Sequence, residues 1–281
     1  MSEPALPWII VGCGRLGQTL GLLARRQGQL VRAIWNRTPS ADACKNVDAE
    51  AALSGPLSVL EEALSTPAIV WLTVVDDALV DVAAGLSPFI GADSIVVHTS
   101  GSLATRLLTD AGIKAAAASM HPLQAITDPA RALERLAKSY WSVEGDDRAV
   151  DYCISLLARL GVSPVRLEPD AKMLYHAAAV TSANLLVSLI DAAVAMATHA
   201  GIAPETARLM LVELAASSLD NLRAQSPAEA LSGPVARGDE TTIARHLESI
   251  AAMGDDNAAQ IYRILTQRAR DLRATSLNGT P

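Results

Sequence analysis

This chain of 281 residues is short of cysteine, of aromatic side chains and of positive charge, and each shortage excludes something. Its three cysteines, Cys13, Cys44 and Cys153, are odd in number and far apart, with no Cys-x-x-Cys or Cys/His ligand spacing. No disulfide framework and no metal site are expected, and the economical reading is a reduced cytoplasmic protein. One Phe, four Trp and four Tyr make no stacking platform, and a net charge of −7 leaves no basic footprint. Nucleic acid is therefore not an expected partner. Nor is a membrane. The opening MSEPALPWIIVGCG lacks the basic region of a signal peptide, and the most apolar later run, residues 173–200, carries His176, Asn184, Asp191 and His199. That run reads as a buried core helix rather than a membrane span.

What the chain has in quantity is apolar residues, half of the total, against 19% charged ones. That is enough for a sizeable core, and the length suits about two domains. Up to residue 168, short β-branched runs alternate with helical patterns. The strand candidates are residues 8–13, 30–36, 68–75, 94–100, 114–120, 140–145 and 163–168. Apolar strands alternating with helices predict a doubly wound, mostly parallel sheet with both faces covered. After Pro169 the pattern becomes helical only, with helices expected over 170–200, 203–223, 239–253 and 255–275. The expected organisation is an α/β Rossmann-type domain over residues 1–168 and an all-α domain over residues 169–281.

The first strand runs into Gly12-x-Gly14-x-x-Gly17. Gly12 permits a tight turn, Gly14 lets a pyrophosphate approach the backbone, and Gly17 lets the next helix pack against the strand. Arg15 and Leu16 fall in that helix's first turn, whose amides face an anion. Directly after a strand and opening a helix, this triplet is a strong dinucleotide signal. The second strand ends in Asn36-Arg37-Thr38, where an NAD site would place a carboxylate for the ribose 2′-hydroxyl. Arg37 can pair instead with a 2′-phosphate, and Asn36 and Thr38 can donate to it, which favours NADP(H).

Two more strand ends point to the same crevice. Thr73 and Val74 fall where ribose and nicotinamide contacts are expected. Ser100-Gly101-Ser102 follows the next strand and reads as a helix start, where free amides and two hydroxyls suit a carboxylate, or where Ser102 is an N-cap. Ser100 is also within reach of the cofactor in this reading. His121 follows the next strand end, as either a proton donor or a structural hydrogen-bonder. In the helical part, Lys172, His176 and Asn184 lie at offsets of four and eight, on one face of the expected helix. An unpartnered buried lysine is costly, so Lys172 is expected to reach solvent or a ligand. Residues 231–246, LSGPVARGDETTIARH, break the helical pattern. Gly233 and Pro234 would end one helix, and Gly238 with Asp239 as N-cap would start the next, with Thr242 and His246 near one face. Arg237 could pair with an anionic substrate, or with the 2′-phosphate of a partner subunit's cofactor.

The order of these motifs resembles NADP-dependent reductases of the 6-phosphogluconate dehydrogenase-like superfamily. That group holds the β-hydroxyacid dehydrogenases, ketopantoate reductases, pyrroline-5-carboxylate reductases and prephenate dehydrogenases. Through HTSGS, MHPLQ, the Lys/His/Asn helix and GPVARGD the chain is similar to a branch of Rossmann-like proteins with a C-terminal domain of unknown function. The resemblance implies a helical domain that caps the nicotinamide crevice. It also implies a lysine, matched by Lys172, that polarises or protonates the substrate oxygen. The family's asparagine four residues on is replaced here by His176, and an asparagine stands only at Asn184. The expected activity is NADPH-dependent reduction of a small carboxylate-bearing carbonyl or imine, ketopantoate first and pyrroline-5-carboxylate second. Lys172, His176 or His121 would be the acid, and Ser100–Ser102 or Arg237 would take the carboxylate, with Asp239, Thr242 and His246 at the same loop. A non-catalytic NADP(H) sensor and an NADPH-dependent flavin or deazaflavin reductase are the alternatives. The length of the apolar run 173–198 also leads us to expect a homodimer through the helical part. Replacing Arg37 with Ser should weaken NADPH binding about 10- to 100-fold, the value of one or two charged hydrogen bonds, while leaving NADH binding unchanged. Equal losses for both cofactors, measured by fluorescence titration, would refute the role given to Arg37.

Overall fold

A computed structural model describes residues 6–38, 44–136 and 138–277. The strands are β1 (Trp8–Val11), β2 (Val31–Asn36), β3 (Ala52–Ser54), β4 (Ile69–Leu72), β5 (Ile95–His98), β6 (Ala116–Pro122), β7 (Tyr140–Gly145) and β8 (Ser163–Arg166). Between them run α1 (Arg15–Arg26), α2 (Glu61–Leu64), α3 (Asp76–Leu86), α4 (Arg106–Asp110), α5 (Pro129–Leu136) and α6 (Asp147–Arg159). The sheet order is β3-β2-β1-β4-β5-β6-β7-β8. All neighbours pair in parallel except β6 and β7. The mostly parallel, doubly wound sheet expected from the pattern is present, and the alanine-rich run 114–120 does form a strand. The short edge strand β3 was not expected; three residues are too few to show a period.

Why these runs become buried strands follows from their alternation. Trp8 and Ile10 of β1 join Ile34, Ile69, Trp71 and Val97 in one cluster, which α1, α5 and α6 cover with Leu20, Leu23, Leu136, Val150 and Leu156. Ile9 and Val11 point the other way, with Val70, Leu72 and Val96, against Leu60, Leu64, Leu79, Ala83 and Leu108 of the segments around α2, α3 and α4. On the second cluster's face the apolar set gives out towards one end. There His98 continues from Val96, and Ser119 and His121 continue from Ala117. Register places Ser119 opposite Glu144 and His121 opposite Ser142. These are same-face positions, so a polar patch occupies one end of an otherwise apolar sheet face.

The chain divides into two compact units, Met1–Ala179 and Val180–Pro281. The division falls inside α7 (Lys172–Ser182), so Lys172 and His176 belong with the sheet. The single helix expected over 170–200 is broken at Ala183, and α8 (Asn184–His199) starts after it. Asn184 therefore opens a new helix and does not share one continuous helical face with Lys172 and His176. The stretch Pro169–His199 is long and apolar enough, by length and composition, to cross a membrane, and α8 has no buried residue in the isolated chain. The expectation of a buried core helix is corrected accordingly.

The second unit continues with α9 (Pro204–Ala224), α10 (Pro227–Ala230), α11 (Gly233–Arg237), α12 (Glu240–Ala252) and α13 (Asp256–Leu277). α8 packs on α9, and α10, α11 and α12 pack on α13. The segment read as an interhelix loop is itself helical at Gly233–Arg237. It ends at Gly238, whose φ of +71° is the left-handed conformation glycine supplies at a helix C-terminus.

The turn after β1 has no slack. A Cβ on Gly17 would stand 2.0 Å from the Gly12 carbonyl oxygen, which is backbone and cannot step aside. Gly17→Ala should therefore cost about 2–4 kcal/mol, as overpacking against backbone does. A urea midpoint equal to that of the wild type would show that the helix–strand contact is looser than described.

Candidate active site

The C-terminal ends of β1, β4, β5 and β6 lie side by side, which in open α/β sheets is where ligands bind. At β1 the glycines behave as the dinucleotide motif requires. Gly12 has φ +108°, and a Cβ there would lie 2.9 Å from the backbone of Thr73 and Val74. A Cβ on Gly14 would meet nothing within 4 Å, so the space in front of it is open. Gly14 is the N-cap residue of α1 with no side-chain capping bond, and the helix has no acidic residue in its first turn. The amides of that turn, including those of Arg15 and Leu16, are left for an external anion. β2 ends in Asn36, whose side chain donates to the Thr38 carbonyl at 3.0 Å, and in exposed Arg37 and Thr38, with no carboxylate among the three. These residues fit a nicotinamide dinucleotide. The Thr73 hydroxyl donates to the Gly12 carbonyl at 2.5 Å, so it ties β4 to the glycine turn.

At the β5 end the structure departs from the sequence reading. No helix starts at Ser102; α4 begins at Arg106. The Ser100 and Ser102 hydroxyls donate to Asp76 Oδ2 at 2.8 and 2.9 Å. Asp76 itself stands in the first turn of α3. The expected nest for a substrate carboxylate is thus already satisfied by a carboxylate of the chain, which repels a second one. Gly101 lies where two rings converge: a Cβ there would come within 2.5 Å of His176 Nδ1 and 2.9 Å of His121 Nε2. The His121 and His176 rings meet edge to face with centroids 5.9 Å apart. His121 Nδ1 also shares a 3.3 Å hydrogen bond with the Tyr175 hydroxyl.

Lys172 is the site's most unusual residue. It is 1% exposed. Its ammonium donates to the Ser100 carbonyl at 3.1 Å and to Ser119 Oγ, and lies 3.9 Å from Glu144 Oε1, a carboxylate equally enclosed. The sequence reading expected it to reach solvent or a ligand; instead it is enclosed and has a partner, Glu144, on β7. Burial draws Lys172 down to about 8, opposed by Glu144 and Asp76. Burial first, and the charges of Lys172 and His121 second, hold His98 down to about 3. His121 is drawn to about 4 by burial, then Lys172 and His176, against the pull of Asp76. Both imidazoles are neutral at physiological pH. The three cysteines are buried, and burial pushes Cys153 up to about 12 and Cys13 higher still, so neither offers a thiolate.

Sequence reasoning placed Asp76 and His98 at strand ends facing the crevice but gave them no role, and it missed Thr105, Ser119, Glu144 and Tyr175. A signal existed for Ser119 and Glu144. In AAASMHP and YWSVEG the polar residues recur at every second position, which puts Ser119 with His121, and Ser142 with Glu144, on one strand face. In the second unit, Asp239 is the N-cap expected, accepting from the Thr242 amide at 3.0 Å and its hydroxyl at 2.7 Å. His246 Nδ1 is hydrogen-bonded to the Tyr262 hydroxyl at 2.7 Å, and Arg237 is exposed.

Residues 139–269, from just before β7 into α13, match the family model of a domain of unknown function (DUF2520). No curated protein matches the chain. Among solved structures it is similar to a protein from Thermotoga maritima, at 23% identity over 96% of this chain and 99% of that one, with a TM-score of 0.74. It is similar to a Bacteroides fragilis protein described as an NADP oxidoreductase, at 17% identity over 95% and 98%, with a TM-score of 0.76. A third is a reductive aminase from Aspergillus terreus in complex with NADPH and ethyl-5-oxohexanoate, at 16% identity over 95% and 94%, with a TM-score of 0.65. What they share with the chain is the fold, over nearly its whole length.

The two depressed histidines set an acid limit on stability. The folded state binds fewer protons than the unfolded chain below pH 6.5, so this contribution is complete above 6.5 and is lost as pH falls towards about 4 and 3. His121→Gln should flatten the fall in urea midpoint between pH 6.5 and 4.5. A slope identical to that of the wild type would remove His121 from the account.

Proposed function

We propose that the chain is an NADPH-dependent reductase of a small carbonyl or imine compound. One observation carries the reading: the glycine turn that fits a dinucleotide and the Lys172–His121 cluster stand along the same row of strand ends in the same unit. The fold shared with a protein described as an NADP oxidoreductase and with a reductive aminase in complex with NADPH supports it. The backbone from Gly12 to Gly17 would hold the pyrophosphate, and Arg37, with Asn36 and Thr38, the 2′-phosphate. The cofactor, when bound, supplies a hydride.

The residues of the chain supply charge and a proton. Lys172, enclosed beneath Ser100, is a fixed positive charge, which stabilises negative charge developing on a substrate oxygen or nitrogen more strongly than an exposed one would. In the tautomer in which the Tyr175 hydroxyl donates to Nδ1, His121 carries its proton on Nε2, the atom that faces Gly101. His121 is then the hydrogen-bond donor nearest the strand ends, with His176 beside it, and the proton to be given up is held by Lys172 behind, which stays charged where the imidazole is neutral. The hydroxyls of Ser100 and Ser102 orient Asp76, so a substrate carboxylate is not received between them. Ketopantoate and pyrroline-5-carboxylate remain the first two compounds to test, and carbonyls and cyclic imines without a carboxylate belong in the same panel.

The helical unit supports a homodimer. Among its described residues the buried apolar set is small, centred on Ile250, Ala258 and Ala259, while Leu185, Val187, Leu209 and Leu214 are each more than half exposed. Burying a side chain of this size is worth about 1.5–3 kcal/mol, so a second copy over this surface gains far more than solvent does. Val187→Glu should shift the protein from dimer to monomer in light scattering. A wild-type monomer would end that part of the reading.

NADPH oxidation against this panel, with binding measured on the same sample, tests the main reading. Lys172→Met should lower turnover at least 100-fold with NADPH affinity within about threefold of wild type, as loss of a fixed charge at the reacting centre does. Tight NADPH binding without turnover of any compound would favour a sensor, and absence of NADPH binding would overturn the assignment.

A further inference from the structure

We propose that Glu144 is a positioning residue for this site: it fixes the Lys172 ammonium beneath the Ser100–Ser102 loop and keeps the charge there. The inference rests on the reductase reading for its catalytic consequence only.

Three observations carry it. Lys172 is the first residue of α7, the end of a helix where a cation is disfavoured by the backbone dipole, so its own helix does not account for its charge. Its side chain is 1% exposed and that of Glu144 2%, and a buried cation is tolerated only beside a counter-charge. Glu144 is also held from behind. Its Oε1 accepts from the Thr105 amide at 2.7 Å and from the Thr105 hydroxyl at 2.9 Å, which leaves the carboxylate one orientation.

The network joins the loop between β5 and α4 to β6, β7, α7 and α3. Thr105, just before α4, sets Glu144 on β7; Glu144 faces Lys172 on α7; Lys172 donates to Ser119 on β6 and to the Ser100 carbonyl after β5. Ser119 Oγ also donates to that carbonyl, at 3.3 Å, and the Ser100 side chain holds Asp76. A carboxylate that faces no open crevice thus sets a loop that does. The charged and titratable groups facing Lys172 are Glu144 from β7, Asp76 from α3, His98 from β5 and His121 from β6. Glu144 is the one with which Lys172 forms an ion pair, and it opposes the downward pull of burial on the lysine.

The test reads Lys172 directly. The chain has four lysines, Lys45, Lys114, Lys138 and Lys172, so in protein labelled with carbon-13 at lysine the Lys172 signal is assigned by its loss in Lys172→Met. Glu144→Gln should lower the Lys172 titration midpoint by about one unit or more, and Glu144→Asp by less. An unchanged midpoint in Glu144→Gln overturns the proposal. Should Glu144→Gln fail to fold, the Glu144→Gln, Lys172→Met double variant decides. Recovery of a cooperative urea transition supports action through Lys172, and failure of both to fold counts against it. Neither measurement needs a substrate, so both hold if no compound is turned over. Where one is, the alkaline limb of kcat should move down with the lysine midpoint while the Kd for NADPH stays unchanged.

Discussion

A lysine ammonium with almost no access to water has to be satisfied by protein, and much of the strand-end architecture can be read as the means of doing so. Ser100 offers a carbonyl, Ser119 a hydroxyl and Glu144 a charge, each from a different segment. Charge pairs of this kind contribute little net stability against an apolar replacement, but removing one partner is costly. The expected consequence is specificity: β6, β7, α7 and the loop after β5 have one mutual arrangement in which every charge is met. The same ammonium helps keep His98 and His121 neutral, so one buried charge sets the protonation of its neighbours as well as their positions.

At the other end of the row the constraint is an absence of atoms. Gly17 has no room for a Cβ, Gly12 has neither the room nor the backbone angle for one, and Gly14 has open space in front of it. Two of the three glycines are demanded by packing within the chain. The third is left unexplained by packing and is accounted for by a ligand. The Thr73 hydroxyl, bonded to the Gly12 carbonyl, ties the turn to the β4 end.

The helical unit follows a different logic. The sheet buries apolar residues on both faces, whereas α8 buries none in the isolated chain. The apolar face of α8 is left uncovered in the isolated chain, and the proposed homodimer would supply the surface to cover it.

Fold class, the parallel strands, the dinucleotide turn and the cap at Asp239 were all legible in the sequence. Each depends on residues close together in the chain: a period of two, a Gly-x-Gly-x-x-Gly spacing, an Asp three residues before the amide it caps. The break at Ala183 was not legible, because alanine is a good helix former and nothing local marks the end. The occupation of Ser100 and Ser102 by Asp76, and of Lys172 by Glu144, was not legible either, since those pairs are separated by 24, 26 and 28 positions and meet only once β4, β5, β7 and α7 are in place. The sequence by itself therefore determined the fold class, most of the strands and helices and the turn that fits a dinucleotide, because backbone geometry is local. Which charges meet was decided by the tertiary structure alone, because a buried charge takes its partner from whatever the fold brings within a few ångströms.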